Sequence, residues 1–154
     1  MDPTSRIMAL DIGTKRTGLA LTDDRRIFAL PHSVIHATQK KDWIEKIAEV
    51  MDMENIGEIV VGIPLNQHGE EGQDAKKIRE YIALLRERFT QPVIEWDERF
   101  TTLQAERTLL EADLSREKRK QVIDKVAASI ILQSYLDSLR FQQERSAFDD
   151  SDEP

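Results

Sequence analysis

Arg6-Ile-Met-Ala-Leu-Asp-Ile12, followed at once by Gly13-Thr-Lys-Arg-Thr-Gly18 and Leu19-Ala-Leu-Thr22, decides the fold. Residues 7–10 are apolar without alternation, which predicts a strand buried on both faces. The glycine-bounded hexapeptide reads as a turn. A second strand over 19–22 and a third over 27–30 follow through short connections, which implies an antiparallel meander. Pro31 to Gln39 reads as loop.

Beyond the meander the period changes from two to helical. Trp43, Ile47, Val50 and Met51 predict a helix over 41–53. Residues 58–63 are a strand stopped by Pro64, and 64–72 are a polar loop. Ile78, Ile82, Leu85 and Phe89 form the stripe of a long helix, and 92–97 give another strand. Thr101 with Gln104 suits a capping box opening a helix to about Ala112. Ser115 caps a last helix running to about Arg140. The order βββ-α-β-α-β-α-α predicts an α/β fold. Its mixed five-stranded sheet combines the antiparallel meander with two parallel strands, flanked by helices.

The 154 residues suit one domain, expected over 1–142, with 143–154 as an acidic, disordered tail. Net charge is −7, which at first disfavours a nucleic-acid partner. Four acids lie in the last six residues, however, and without them the balance is 25 acids to 22 bases. Bases cluster locally at Arg116, Lys118, Arg119 and Lys120. No cysteine is present, so disulfides and thiolate metal sites are excluded. His32, His36 and His68 match no zinc spacing. No apolar run reaches the ~20 residues of a membrane span, and no secretory h-region is visible. A cytoplasmic protein is the expectation.

Three carboxylates stand at element ends. Asp11 closes a strand apolar on both faces, with Ile7 and Ala9 on its own face. Ligand sites of α/β sheets lie outside such carboxyl ends. Glu98 ends the strand after Val93, and Asp97 competes with it, because adjacent strand residues face opposite ways. Asp124 falls on the apolar stripe of Ala127, Ala128, Ile131 and Tyr135, where a lone carboxylate is costly. Asp11 also fits ordinary turn chemistry before Gly13, and Lys120 stands one helical turn from Asp124. If the three converge, an all-oxygen set suits Mg²⁺ or Mn²⁺ and metal-assisted phosphodiester hydrolysis. Lys15 and Arg16 in the turn, and 116–120 at a helix start, then become candidates for phosphate contact. The turn itself lacks the Lys-Ser/Thr of a Walker A loop.

Four stretches together resemble the YqgF family of bacterial proteins. They are Ala9-Leu-Asp-Ile-Gly-Thr-Lys-Arg-Thr-Gly-Leu-Ala20; Val61-Gly-Ile-Pro-Leu-Asn66 with Gly69 and Gly72; Asp97-Glu-Arg-Phe-Thr-Thr102; and Asp124-Lys-Val-Ala-Ala-Ser-Ile-Ile-Leu-Gln133. Members are described as pre-16S rRNA nucleases or RuvX-type Holliday junction resolvases. The resemblance implies an RNase H-like fold, with Asp11, Glu98 and Asp124 as catalytic metal ligands. It also places Arg99 and the 64–72 loop, including Asn66, near a nucleic-acid substrate. The expected activity is trimming of the 5′ end of pre-16S rRNA, in contact with pre-ribosomal particles. Cleavage of branched DNA and a non-catalytic assembly role remain as alternatives. An actin-like ATPase, suggested by Asp11-Ile-Gly-Thr14, would need two such domains, and 154 residues hold one.

Overall fold

The computed structural model describes residues 5–65, 68–98 and 116–151, with side chains of the last helix over 126–144. Strands β1 (Arg6–Ile12), β2 (Arg16–Thr22) and β3 (Ala29–His36) form the meander. Helix α1 (Lys40–Glu54), strand β4 (Ile56–Ile63), helix α2 (Gln73–Arg88) and strand β5 (Val93–Asp97) alternate after it. Helix α3 (Arg116–Ser151) is the last element. The sheet order is β3-β2-β1-β4-β5. β1 is antiparallel to β2 and parallel to β4, and β5 runs parallel to β4. This is the mixed sheet that the sequence predicts.

Ile7, Met8, Ala9 and Leu10 are all fully buried, as a strand covered on both faces requires. Met8, Leu10 and Ile12 pack with Trp43, Ile47, Ile78, Ile82 and Leu85 beneath α1 and α2. Ile7 and Ala9 pack on the other face with Val60, Ala128, Ile131, Leu132 and Tyr135 of α3. Each such aliphatic side chain contributes about 1.5–3 kcal/mol of burial. The indole Nε1 of Trp43 donates to Thr17 Oγ1 at 2.9 Å, so the buried indole is satisfied.

Three expectations change. The turn predicted over 13–18 is shorter, since β2 already begins at Arg16 and pairs Thr17 with Ile12 and Gly18 with Asp11. The third strand was predicted over 27–30 with a loop after it, but β3 runs from Ala29 to His36. It continues through Pro31 because it lies at the sheet edge, where a missing donor is tolerated. The register slips opposite Leu19 and Ala20, whose partners are Ser33 and Pro31, so a bulge takes up His32. The last helix, in turn, does not stop near Arg140 but extends to Ser151, into the segment expected as a disordered tail. No glycine or proline interrupts 141–153. The helix expected over 101–112 lies outside the described residues.

Candidate active site

β1 delivers Asp11 to the carboxyl end of the sheet, on the face shared with Ile7 and Ala9. Residue 12 points to the opposite core, and Gly13 then turns the chain. The Gly13 amide donates to the Arg16 carbonyl at 2.8 Å, and a Cβ at Gly13 would lie 2.7 Å from that oxygen. A side chain there would press on backbone, so this turn needs glycine. It places exposed Lys15 and half-buried Arg16 beyond the same sheet end as Asp11.

Glu98 follows β5 directly and meets Asp11, to which its carboxyl hydrogen-bonds. Glu98 pairs with Asp11, while Asp97 sits in the β5 ladder opposite Ile63 and is close enough to Glu98 to repel its charged form. Glu98 Oε1 is withdrawn from solvent. Burial pushes the Glu98 carboxyl up to about 9, helped by the bond to Asp11 and by repulsion from Asp11 and Asp97. Asp11 is also raised by burial, and the bond from Glu98 offsets only part of that rise. The Glu98 carboxyl, raised this far, is the proton-holding partner and donates the hydrogen bond to Asp11.

The approach depends on Gly62 of β4. A Cβ on Gly62 would lie 2.4 Å from Glu98 Oε1, 2.8 Å from Glu98 Cγ and 2.7 Å from Ile131 Cδ1. Sequence reasoning did not single out this residue. Its signal was a glycine inside a buried strand, which marks a close approach by another group.

α3 runs antiparallel to β1 and β4. Tyr135 Oη donates to Glu58 Oε1 at 2.6 Å near the start of β4, whereas Ile131 lies over Gly62 near its end. Going toward the N-terminus of α3 therefore leads to the end of the sheet that holds Asp11 and Glu98. Asp124 lies seven residues before Ile131, on the helical stripe that continues through Ala128, and its side chain is outside the described set. The same holds for Arg116, Lys118, Arg119 and Lys120, which occupy the first turns of α3. Asn66 and Arg99 fall outside the described residues. Among the described residues no three acidic or histidine side chains gather as a metal cluster; Asp11 and Glu98 are a pair.

The pair fits a divalent cation. Its donors are all oxygen, and two carboxyls forced together out of water keep a proton that a cation can replace. Beside Glu98, on the α2 side, opens a cleft of about 400 Å³ bordered by the Gly13–Thr14 turn, Lys40, Asp74, Lys77 and Tyr81.

The model of the RuvX family, described as Holliday junction resolvase, matches residues 5–138. A relative from Halothermothrix orenii is 47% identical over 131 residues, covering 85% of this chain and 94% of its own. One from Geobacillus kaustophilus is 44% identical over 137 residues, covering 88% and 99%. Both carry the name "Putative pre-16S rRNA nuclease". Among solved structures, the Fowlpox virus resolvase in complex with Holliday junction DNA superposes with a TM-score of 0.54 at 17% identity, covering 87% of this chain and 98% of that one. T. thermophilus RuvC in complex with a Holliday junction gives 0.51 at 14%, covering 82% and 91%. These two likenesses establish the RNase H-like fold. Matched along most of its length by the family model and by such relatives, the chain belongs to the RuvX (YqgF) family.

Proposed function

We propose that this protein is a divalent-cation-dependent nuclease that processes the 5′ end of pre-16S rRNA in the cytoplasm, on pre-ribosomal particles. The observation that carries this reading is the buried Asp11–Glu98 pair, set by Gly62 at the carboxyl end of the sheet. Relatives matched over nearly their whole length bear the pre-rRNA nuclease name, which supports the substrate. No helix among the described residues is long and apolar enough to cross a membrane.

Asp11 and Glu98 would hold Mg²⁺ or Mn²⁺, with Asp124 approaching from α3 as the third ligand. When bound, the cation supplies the charge that acidifies an attacking water and stabilises the leaving oxygen. The chain's own part is positional. β1, paired on both sides by β2 and β4, fixes Asp11, and Gly62 leaves room for Glu98. To hold the cation Glu98 would give up its proton, so that both carboxylates could act as oxygen donors. Lys15 and Arg16, at the turn beside Asp11, would hold substrate phosphates, as would Asn66, Arg99, Arg116, Lys118, Arg119 and Lys120.

Labelled precursor rRNA, incubated with Mg²⁺, Mn²⁺ or EDTA, tests the reading. The wild type cleaves with either metal, and Asp11→Asn, Glu98→Gln and Asp124→Asn do not, while their circular dichroism stays native. Undiminished cleavage in EDTA, or by Asp11→Asn, would remove the metal mechanism. The family description favours a second substrate, so four-way DNA junctions belong in the same assay. Preference for them over rRNA would reassign the substrate and keep the chemistry.

A further inference from the structure

The cleft beside Glu98 contains two side chains that the nuclease reading does not use. Asp74 and Lys77 lie one turn apart on α2, and both border the cleft together with Thr14 and Glu98. The other cation there, Lys40, is already committed. Its Nζ donates to Glu80 Oε2 at 2.6 Å and lies 5.6 Å from the centre of the Tyr81 ring. Among the described residues Lys77 forms no direct ion pair, although its charge reaches the Glu80 carboxylate, and Asp74 forms none either. Their Cβ atoms, at i and i+3 on a helix, are neighbours at about 5–6 Å.

This juxtaposition is unusual for a site that takes phosphate alone. A carboxylate beside the cation repels a phosphate, and Glu98 adds to that. A carboxylate accepts a hydrogen bond from a hydroxyl, however, and RNA presents a 2′-hydroxyl next to each phosphate, which DNA does not. The volume of about 400 Å³ lies within the range of small-ligand sites, roughly 300–1,000 Å³.

We propose that this cleft seats one ribonucleotide of the substrate strand next to the scissile phosphate, with Lys77 binding its phosphate and Asp74 accepting a hydrogen bond from its 2′-hydroxyl. Thr14, which also borders the cleft, supplies a hydroxyl to the same phosphate. The cleft is thereby the element that selects RNA. The proposal rests on the nuclease reading, since it places the strand relative to Asp11 and Glu98.

The test is binding without cleavage. A short fluorescein-labelled single-stranded RNA and the DNA of the same sequence are titrated in EDTA and followed by anisotropy. Wild-type protein binds RNA more tightly than DNA. Lys77→Gln weakens both by roughly tenfold, as loss of a charged hydrogen bond does, and lowers the slope of log K against log salt by about 0.7. Asp74→Ala weakens RNA by about fivefold, and DNA binding stays equal or tightens. Both residues are exposed on α2, so the variants keep the fold, which a thermal melt verifies. Equal affinity of the wild type for RNA and DNA overturns the proposal. So does Lys77→Gln binding like wild type, or Asp74→Ala shifting both polymers equally. None of these results touches the nuclease reading, which the cleavage assay decides separately.

Discussion

Substituting Gly62 by alanine separates the geometry of the acidic pair from the stability of the fold. The added Cβ would stand 2.4 Å from Glu98 Oε1, where ordinary contact begins at 3.4 Å. The carboxylate must therefore retreat by about 1 Å, and a misplacement of that size in a catalytic group costs about 10²-fold in rate. That loss corresponds to about 2.7 kcal/mol on the barrier. The atoms that must move are side-chain ends, Glu98 Oε1 and Ile131 Cδ1, with Glu98 Cγ at 2.8 Å following its own carboxylate. Backbone is not pressed, so overpacking costs at the lower end of 1–3 kcal/mol. Lower flexibility of the unfolded chain offsets part of it, by up to about 1 kcal/mol. Gly62→Ala should melt near the wild type and cleave precursor RNA about 100-fold more slowly under single-turnover conditions. Its affinity for Mn²⁺, measured by calorimetry, should fall as well. A folded Gly62→Ala protein that cleaves at the wild-type rate refutes the claim that Glu98 must sit against Asp11 for the reaction.

Further outcomes follow from the same contacts. Burial holds the folded Glu98 carboxyl up at about 9, above the ordinary glutamate range of the unfolded chain, so between the two the native state keeps a proton that the unfolded state releases. Stability of the metal-free protein should therefore fall as pH rises through that window, and Glu98→Gln should flatten the profile in thermal melts. Added Mn²⁺ should displace the proton, so its affinity should rise with pH, with proton release visible in buffers of different ionisation enthalpy; affinity independent of pH contradicts a proton held on Glu98. Tyr135→Phe removes the 2.6 Å hydrogen bond to Glu58 and leaves that carboxylate with Arg26 at 3.6 Å. The urea midpoint should drop by the equivalent of about 1–2 kcal/mol, and an unchanged midpoint excludes a stabilising bond. Trp43→Phe strands the Thr17 hydroxyl in the core and loses the edge-on contact with Tyr81 at 4.7 Å. It should cost about 1–3 kcal/mol in the same assay.

The strands that were legible are those with uniform environments. β1 reads as buried because apolar residues occupy both of its faces, and α2 reads as a helix because Ile78, Ile82, Leu85 and Phe89 repeat at helical spacing, the first three buried and Phe89 at the cap. β3 was misread because its polar residues and Pro31 resemble a loop. Only its position at the sheet edge, where one side forms no ladder, makes such a sequence acceptable as a strand. The end of α3 was misplaced for the opposite reason: an acidic composition suggested disorder, while the absence of breakers before Pro154 lets the helix continue.

Sequence alone determined the order of the described elements, the mixed α/β architecture and the family, and it marked Asp11 and Glu98 as strand-end carboxylates. These rest on local periodicity and on short motifs, both of which are properties of contiguous residues. Tertiary structure decided that Glu98, and not Asp97, meets Asp11; that Gly62 makes the room for it; and that Asp74 and Lys77 share a cleft with Glu98. These are distances between segments far apart along the chain. They depend on which strands become neighbours and on how closely a helix can approach the sheet, and no local pattern encodes either.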